Sequence, residues 1–179
     1  MRTSFTPLRR ADLDLLSRWL GTAHVEQWWP GPNDLVSIER KYGPLLDGVD
    51  PTRAFICHVD GHPIGFVQAY RLADEPTWRA TITAAIGNVE AAGIDYFIGE
   101  VDFVGRGLGS RMIGDFVATV WDMYGESSCI VVAVQQGNAA SWRALERATF
   151  ARRWAGHLDS DDPSDQGPAF VYVLERPRP

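Results

Sequence analysis

One short segment limits this chain's fold more than any other: Val104-Gly105-Arg106-Gly107-Leu108-Gly109-Ser110. Glycines at alternate positions weaken a helix or strand interior by roughly 0.5–1 kcal/mol each, so the segment predicts a tight turn. An apolar run precedes it. The clearest helix of the chain follows over 109–124, where Met112, Ile113, Phe116, Val117, Val120, Trp121 and Tyr124 trace one apolar face. Bare glycine amides can point at a ligand, and a helix N-terminus adds a partial charge of about +0.5 at the same spot. That combination suits a pyrophosphate, and Arg106 would add a full charge. A plain glycine-rich strand-to-helix turn fits the spacing as well. A dinucleotide fingerprint does not, because it needs G-x-G-x-x-G on an early strand. A Walker loop is excluded because no Gly-Lys-Ser/Thr follows.

Around this turn the chain alternates strand and helix patterns. Strands are expected at 3–8, 53–59, 63–71, 93–104, 130–134 and 170–174, with Asp60-Gly61-His62 closing a hairpin. Helices are expected at 11–20, 37–46, 109–124 and 138–148. The expected fold is mixed α/β, a single domain over 1–179 with about 6–7 strands and about four helices. Residues 71–78 and the acidic stretch 158–168 read as loops.

Composition narrows the partners. The 179 residues carry a net charge of −6, which disfavours nucleic acid and anionic membranes and mildly favours a cationic ligand. Cys57 and Cys129 lie in apolar runs without metal or redox spacing, and His24, His58, His62 and His157 are scattered, so no metal site is expected. The first residues lack an apolar signal segment and no run approaches membrane-spanning length, so a cytoplasmic protein is expected. The seven Trp residues suit core packing, with a ligand surface as the alternative use.

The glycine segment resembles the acetyl-CoA loop of the GNAT superfamily. Gly107 and Gly109 match its two small positions, while Val104 stands where Arg or Gln is usual. The chain also resembles the aminoglycoside 6′-N-acetyltransferases over nearly its whole length. Trp19-Leu20, His24, Trp28-Trp29 and Gly31 are similar to an early family segment. Pro63-Ile64-Gly65-Phe66-Val67-Gln68-Ala69-Tyr70 is similar to its hairpin strand, and Gly93-Ile94-Asp95 to the start of its cofactor strand. Asn138, Arg143, Glu146 and Phe150 resemble the helix on the CoA side. Gly167-Pro168-Ala169 and Tyr172 resemble the closing strand.

The resemblance implies a GNAT-like fold with a mostly antiparallel central sheet. It implies direct acetyl transfer from acetyl-CoA to a primary amine, most simply the 6′-amine of an aminoglycoside. The cosubstrate would lie on Val101, Asp102, Phe103, Val104, Gly105, Arg106, Gly107, Leu108, Gly109, Ser110 and Asn138. Asp95 matches the carboxylate that holds the substrate ammonium and accepts its proton; a strand-start Asp capping a turn is the structural alternative. On a strand, Glu100 and Asp102 would share one face, making Glu100 a second base or a solvated edge charge. His24, Trp28, Trp29, Tyr70, Asp74 and Glu75 are candidate substrate contacts, each with a packing or surface alternative.

Leu145 stands where many GNAT enzymes carry a Tyr that reprotonates the thiolate, and Ala133 where the aminoglycoside branch has an acid. Two other functions therefore stay open: a GNAT with a different acceptor, such as a siderophore-pathway lysine derivative, and a catalytically silent CoA-binding module. The partner is expected to be a small cationic amine, bound by a monomer or homodimer.

Overall fold

The computed structural model describes residues 2–160, 162 and 165–177, so residues 161, 163 and 164 of the acidic stretch lie outside the description. In chain order the elements are β1 (Thr3–Pro7), α1 (Leu13–Leu20), α2 (Ala23–Glu26), α3 (Leu35–Leu46), β2 (Arg53–Val59), β3 (His62–Arg71), α4 (Pro76–Ile86), β4 (Ala91–Ile98), α5 (Leu108–Met123), β5 (Cys129–Gln135), α6 (Ala139–Arg147), β6 (Ala151–Leu158) and β7 (Gly167–Glu175). The sheet runs β1-β2-β3-β4-β5-β7-β6. The pairs β1–β2, β5–β7 and β6–β7 are antiparallel, and β4–β5 is parallel. The mixed α/β class and mostly antiparallel sheet are as expected, with two more helices than the pattern suggested.

The differences have local causes. Helix α4 starts inside what reads as a loop, because Pro76 sits in the first helical turn, where its missing N–H costs nothing. Strand β6 escapes a pattern search because it is an edge strand, with Ala151, Arg152, Arg153, Ala155 and His157 all exposed. Strand β4 ends at Ile98, not at 104. The N–H groups of Gly99 and Glu100 both donate to the Ile64 carbonyl, at 2.9 and 3.2 Å. Two donors on one acceptor break the ladder, as in a bulge. A 3-10 turn over Val101–Phe103 follows, so Glu100 and Asp102 do not share a strand face.

The chain forms two compact units. The first comprises Met1–Gln68 and Tyr96–Leu108, the second Ala69–Asp95 and Gly109–Pro179. In the first, α1 and α3 bury Leu16, Trp19, Ile38 and Tyr42 with Ile56, Phe66 and Phe97. Phe66 stacks on Phe97 at 5.4 Å, and Trp29 meets both rings edge-on. In the second, Ile82 of α4 packs with Val131 of β5, Leu158 of β6 and Val171 of β7. Arg176 anchors the end of β7: its guanidinium donates to the Ser127 and Tyr124 carbonyls at 2.7 Å and lies 4.4 Å from the Trp121 ring centre.

Gly65 marks a close approach between β3 and β4. A Cβ there would sit 2.4 Å from the Phe97 carbonyl oxygen, a backbone atom that cannot turn aside. Gly65→Ala is expected to cost about 1–3 kcal/mol by overpacking, read as a lower urea midpoint. Gly125→Ala, whose Cβ would meet nothing within 4 Å, should stay within about 0.5 kcal/mol.

Candidate functional site

In the first unit, two side chains hold the end of β4. The His24 ring donates through Nε2 to the Ile98 carbonyl at 2.9 Å, which fixes its tautomer because a carbonyl only accepts. Trp19, fully buried, donates its indole N–H to Glu100 Oε1 at 2.9 Å. Its ring covers Gly99, where a Cβ would lie 2.2 Å from an indole carbon. Arg18 approaches the same Glu100 oxygen at 4.0 Å. Glu100 is therefore held by a buried donor on one side, an arrangement that suits positioning the turn better than a mobile base.

Beyond Glu100 the backbone closes on itself, with Phe103 N–H donating to the Glu100 carbonyl and Val104 N–H to that of Val101. Val101 is 65% exposed and Val104 43%, unusual for valine on a structured turn. Gly105 and Gly107 both have φ of +76°, the left-handed region that non-glycine residues enter at a cost of roughly 1–2 kcal/mol. A Cβ at either would point into open space. Arg106 lies between them, exposed, with its guanidinium 5.9 Å from the Phe103 ring centre. Buried Leu108 then starts α5. An exposed, glycine-lined turn at the start of a 16-residue helix fits an anionic phosphate group.

The two early tryptophans divide. Trp29 packs against the aromatic core, with the Lys41 ammonium 5.8 Å from its ring centre. Trp28 is half-buried and outside that core cluster, which leaves it the better placed of the two for a ligand.

In the second unit, β4 pairs with β5 over only three positions, Ala91–Cys129 to Gly93–Val131. Both strands continue, to Ile98 and to Gln135, and β5 stays paired with β7 along its whole length. Asp95 lies just past the last pair.

Tyr70 of β3 lies beside it. A Cβ on Gly93 would be 2.6 Å from the Tyr70 oxygen, and positions 93 and 95 share a strand face. Burial first, then the charges of Asp95, Asp165 and Glu75, push the Tyr70 phenol well above its usual range. Asp165 belongs to the acidic stretch that reads as plain surface; nothing in its spacing separates it from its neighbours. Asp74 is ion-paired with Arg71 at 3.6 Å, and Arg71 also contacts Glu126 at 3.2 Å, so its charge is partly spent. Asn138 caps α6, its Oδ1 accepting from Ser141 N–H at 3.1 Å. Leu145 is fully buried. Two residues later on β7 than Phe170, Tyr172 donates to Glu146 at 2.9 Å, and burial with that bond pushes it up to about 12.

Among the described residues no group of three or more His, Cys, Asp or Glu side chains is placed to hold a metal. None of their helices is long and apolar enough to cross a membrane.

Trp19→Phe keeps the ring and removes the donor to Glu100. It is expected to destabilise the fold by about 1 kcal/mol, measured by urea unfolding, and Glu100→Gln by less, because an amide oxygen still accepts.

Known proteins resemble this chain in sequence and fold. Aminoglycoside N(6′)-acetyltransferase type 1 of Klebsiella pneumoniae is 27% identical over 169 residues, 92% of this chain and 79% of that enzyme. L-2,4-diaminobutyric acid acetyltransferase of Streptomyces avermitilis is 29% identical over 114 residues, 62% of this chain and 52% of that one. The crystal structure of the aminoglycoside acetyltransferase AAC(6′)-Ib with coenzyme A and kanamycin superposes with a TM-score of 0.81 at 24% identity, covering 98% of this chain and 95% of that one. The family model described as an acetyltransferase (GNAT) domain matches residues 9–158. With most of its length matched by that model, the chain belongs to the GNAT acetyltransferases and is an acyltransferase.

Proposed function

We propose that the protein transfers acetyl from acetyl-CoA to a primary amine of a small polycation, with an aminoglycoside 6′-amine as the preferred acceptor. The observation that carries this reading is the exposed turn ahead of α5, where Gly105 and Gly107 are left-handed with open space on their outer sides. Asp95, two residues along the β4 face from the Gly93 that Tyr70 covers, supplies a carboxylate that would orient a cationic acceptor.

The residues of the turn suit the cosubstrate. Gly105 and Gly107, left-handed and open on their outer sides, would present backbone N–H groups to a pyrophosphate, assisted by Arg106 and the start of α5. Exposed Val101 and Val104 would lie along the apolar part of its arm, and Asn138 would donate from the start of α6. When bound, acetyl-CoA supplies an activated acetyl thioester. Asp95 would hold the acceptor ammonium and take its proton, directly or through water, since only the neutral amine attacks. Trp28 would offer an apolar wall to a sugar ring. Leu145 gives no proton, so departure of a thiolate would rely on water. Glu100 would fix the turn through Trp19.

The diaminobutyric acid acetyltransferase resemblance and the absence of a carboxylate at Ala133 favour a second reading, an amino-acid-derived diamine as acceptor.

Thiol release with acetyl-CoA against kanamycin, spermidine and diaminobutyrate separates these acceptors. Kanamycin is expected to give the highest kcat/KM. Asp95→Asn should lower turnover at least tenfold, about 1.4 kcal/mol or more of transition-state stabilisation; unchanged turnover removes Asp95 from the mechanism. CoA binding without thiol release for any amine would indicate a silent binding module. Gly107→Ala should weaken CoA binding severalfold by calorimetry, because a left-handed φ strains any L side chain. Unaltered affinity would remove the turn from the cosubstrate site.

A further inference from the structure

Trp78 reads in the sequence only as the end of a loop, yet its indole N–H donates to the Tyr70 oxygen at 3.0 Å. It is held firmly. Helix α4 buries Ile82 completely, Thr81 Oγ donates to the Asp159 carbonyl at 3.1 Å, and Arg79 reaches Asn88 and Glu90 at 3.3 Å. Half-buried Trp78 itself packs on the core of the second unit.

An indole N–H can only donate, so the Tyr70 oxygen is the acceptor in this pair. The phenol must direct its own proton elsewhere. Tyr70 is 9% exposed, and among the described residues its proton meets no acceptor. A buried hydroxyl proton favours an acceptor, which a ligand oxygen would supply. The phenol keeps that proton at any ordinary pH, since burial and the neighbouring carboxylates disfavour phenolate. Its oxygen lies over Gly93, and Asp95 follows two residues along the same strand face, roughly 6–7 Å away by strand rise. A carboxylate and a fixed hydroxyl donor are thus neighbours, one suited to an ammonium and the other to a neutral oxygen.

We propose that Trp78 is a specificity-determining positioning residue: by engaging the acceptor side of the Tyr70 hydroxyl, it makes that hydroxyl a fixed donor that selects amines bearing an ether or hydroxyl oxygen near the reacting nitrogen over plain alkyl diamines. This rests on the amine-acetylation reading above and narrows its substrate class. Trp78 touches no substrate in this account and acts through Tyr70.

The test compares kanamycin with 1,5-diaminopentane for the wild type, Trp78→Phe, Tyr70→Phe and the double variant. Two readouts run in parallel: thiol release for kcat and KM, and calorimetry for amine Kd. The wild type is expected to prefer kanamycin in both. Trp78→Phe should cut the kanamycin-to-diamine ratio of kcat/KM about tenfold, mostly through KM, and cut the Kd ratio similarly. The double variant should be no less selective than Tyr70→Phe alone, because both changes remove one donor. Tyr70→Phe also reads the hydroxyl without touching α4, should Trp78→Phe fold poorly. Equal losses for both amines, additive losses in the double variant, or a wild type with no preference in Kd would overturn the proposal. Selective amine binding without any thiol release would instead overturn the acetyl-transfer reading and leave the selectivity of Trp78 standing.

Discussion

The arrangement depends on β4 ceasing to be an ordinary strand. On its β5 side the ladder stops at Gly93–Val131, although each strand continues for several residues. At its far end the Ile64 carbonyl takes the N–H groups of both Gly99 and Glu100, and the chain leaves the sheet. The glycine turn follows a few residues downstream, with Gly105 and Gly107 left-handed and open on their outer sides.

The side chains that make this possible are apolar and aromatic more than charged. Trp19 fills the space over Gly99 and tethers Glu100, His24 holds the Ile98 carbonyl, and Tyr70 fills the space over Gly93. Each glycine is where a ring crosses the strand, and each ring brings a polar atom to the strand's edge. The carboxylates along the chain have different surroundings. Glu100 is bound to a buried donor, Asp74 is paired with Arg71, and Asp95 acts with Asp165 and Glu75 on a single phenol. The net charge of −6 says only that the chain is acidic; it does not say which carboxylates lie near Tyr70.

Much of this was legible in the sequence. The apolar face of α5 and the glycines before it mark a strand-to-helix turn by pattern alone, and Gly105 and Gly107 do adopt the conformation glycine alone takes easily. The family was readable from blocks spread along the chain. What escaped depends on contacts distant in sequence. The end of β4 is decided by the Ile64 carbonyl, so an apolar run reads as a longer strand. Trp29 and Trp28 are adjacent and equally aromatic, yet Phe66 and Phe97 take one ring into the core. The partner of Trp78 is Tyr70, on an element that reads as a strand while Trp78 reads as loop. Pro76 was the available signal, since proline opens helices more readily than it interrupts them.

The most direct test of the account is a backbone amide NMR titration of the protein with coenzyme A. The account predicts the largest shifts at residues 104–110 and at 94–95, with those of Gly105 and Gly107 moving in proportion to site occupancy. Saturation of the protein with coenzyme A while these amides stay unmoved would contradict it.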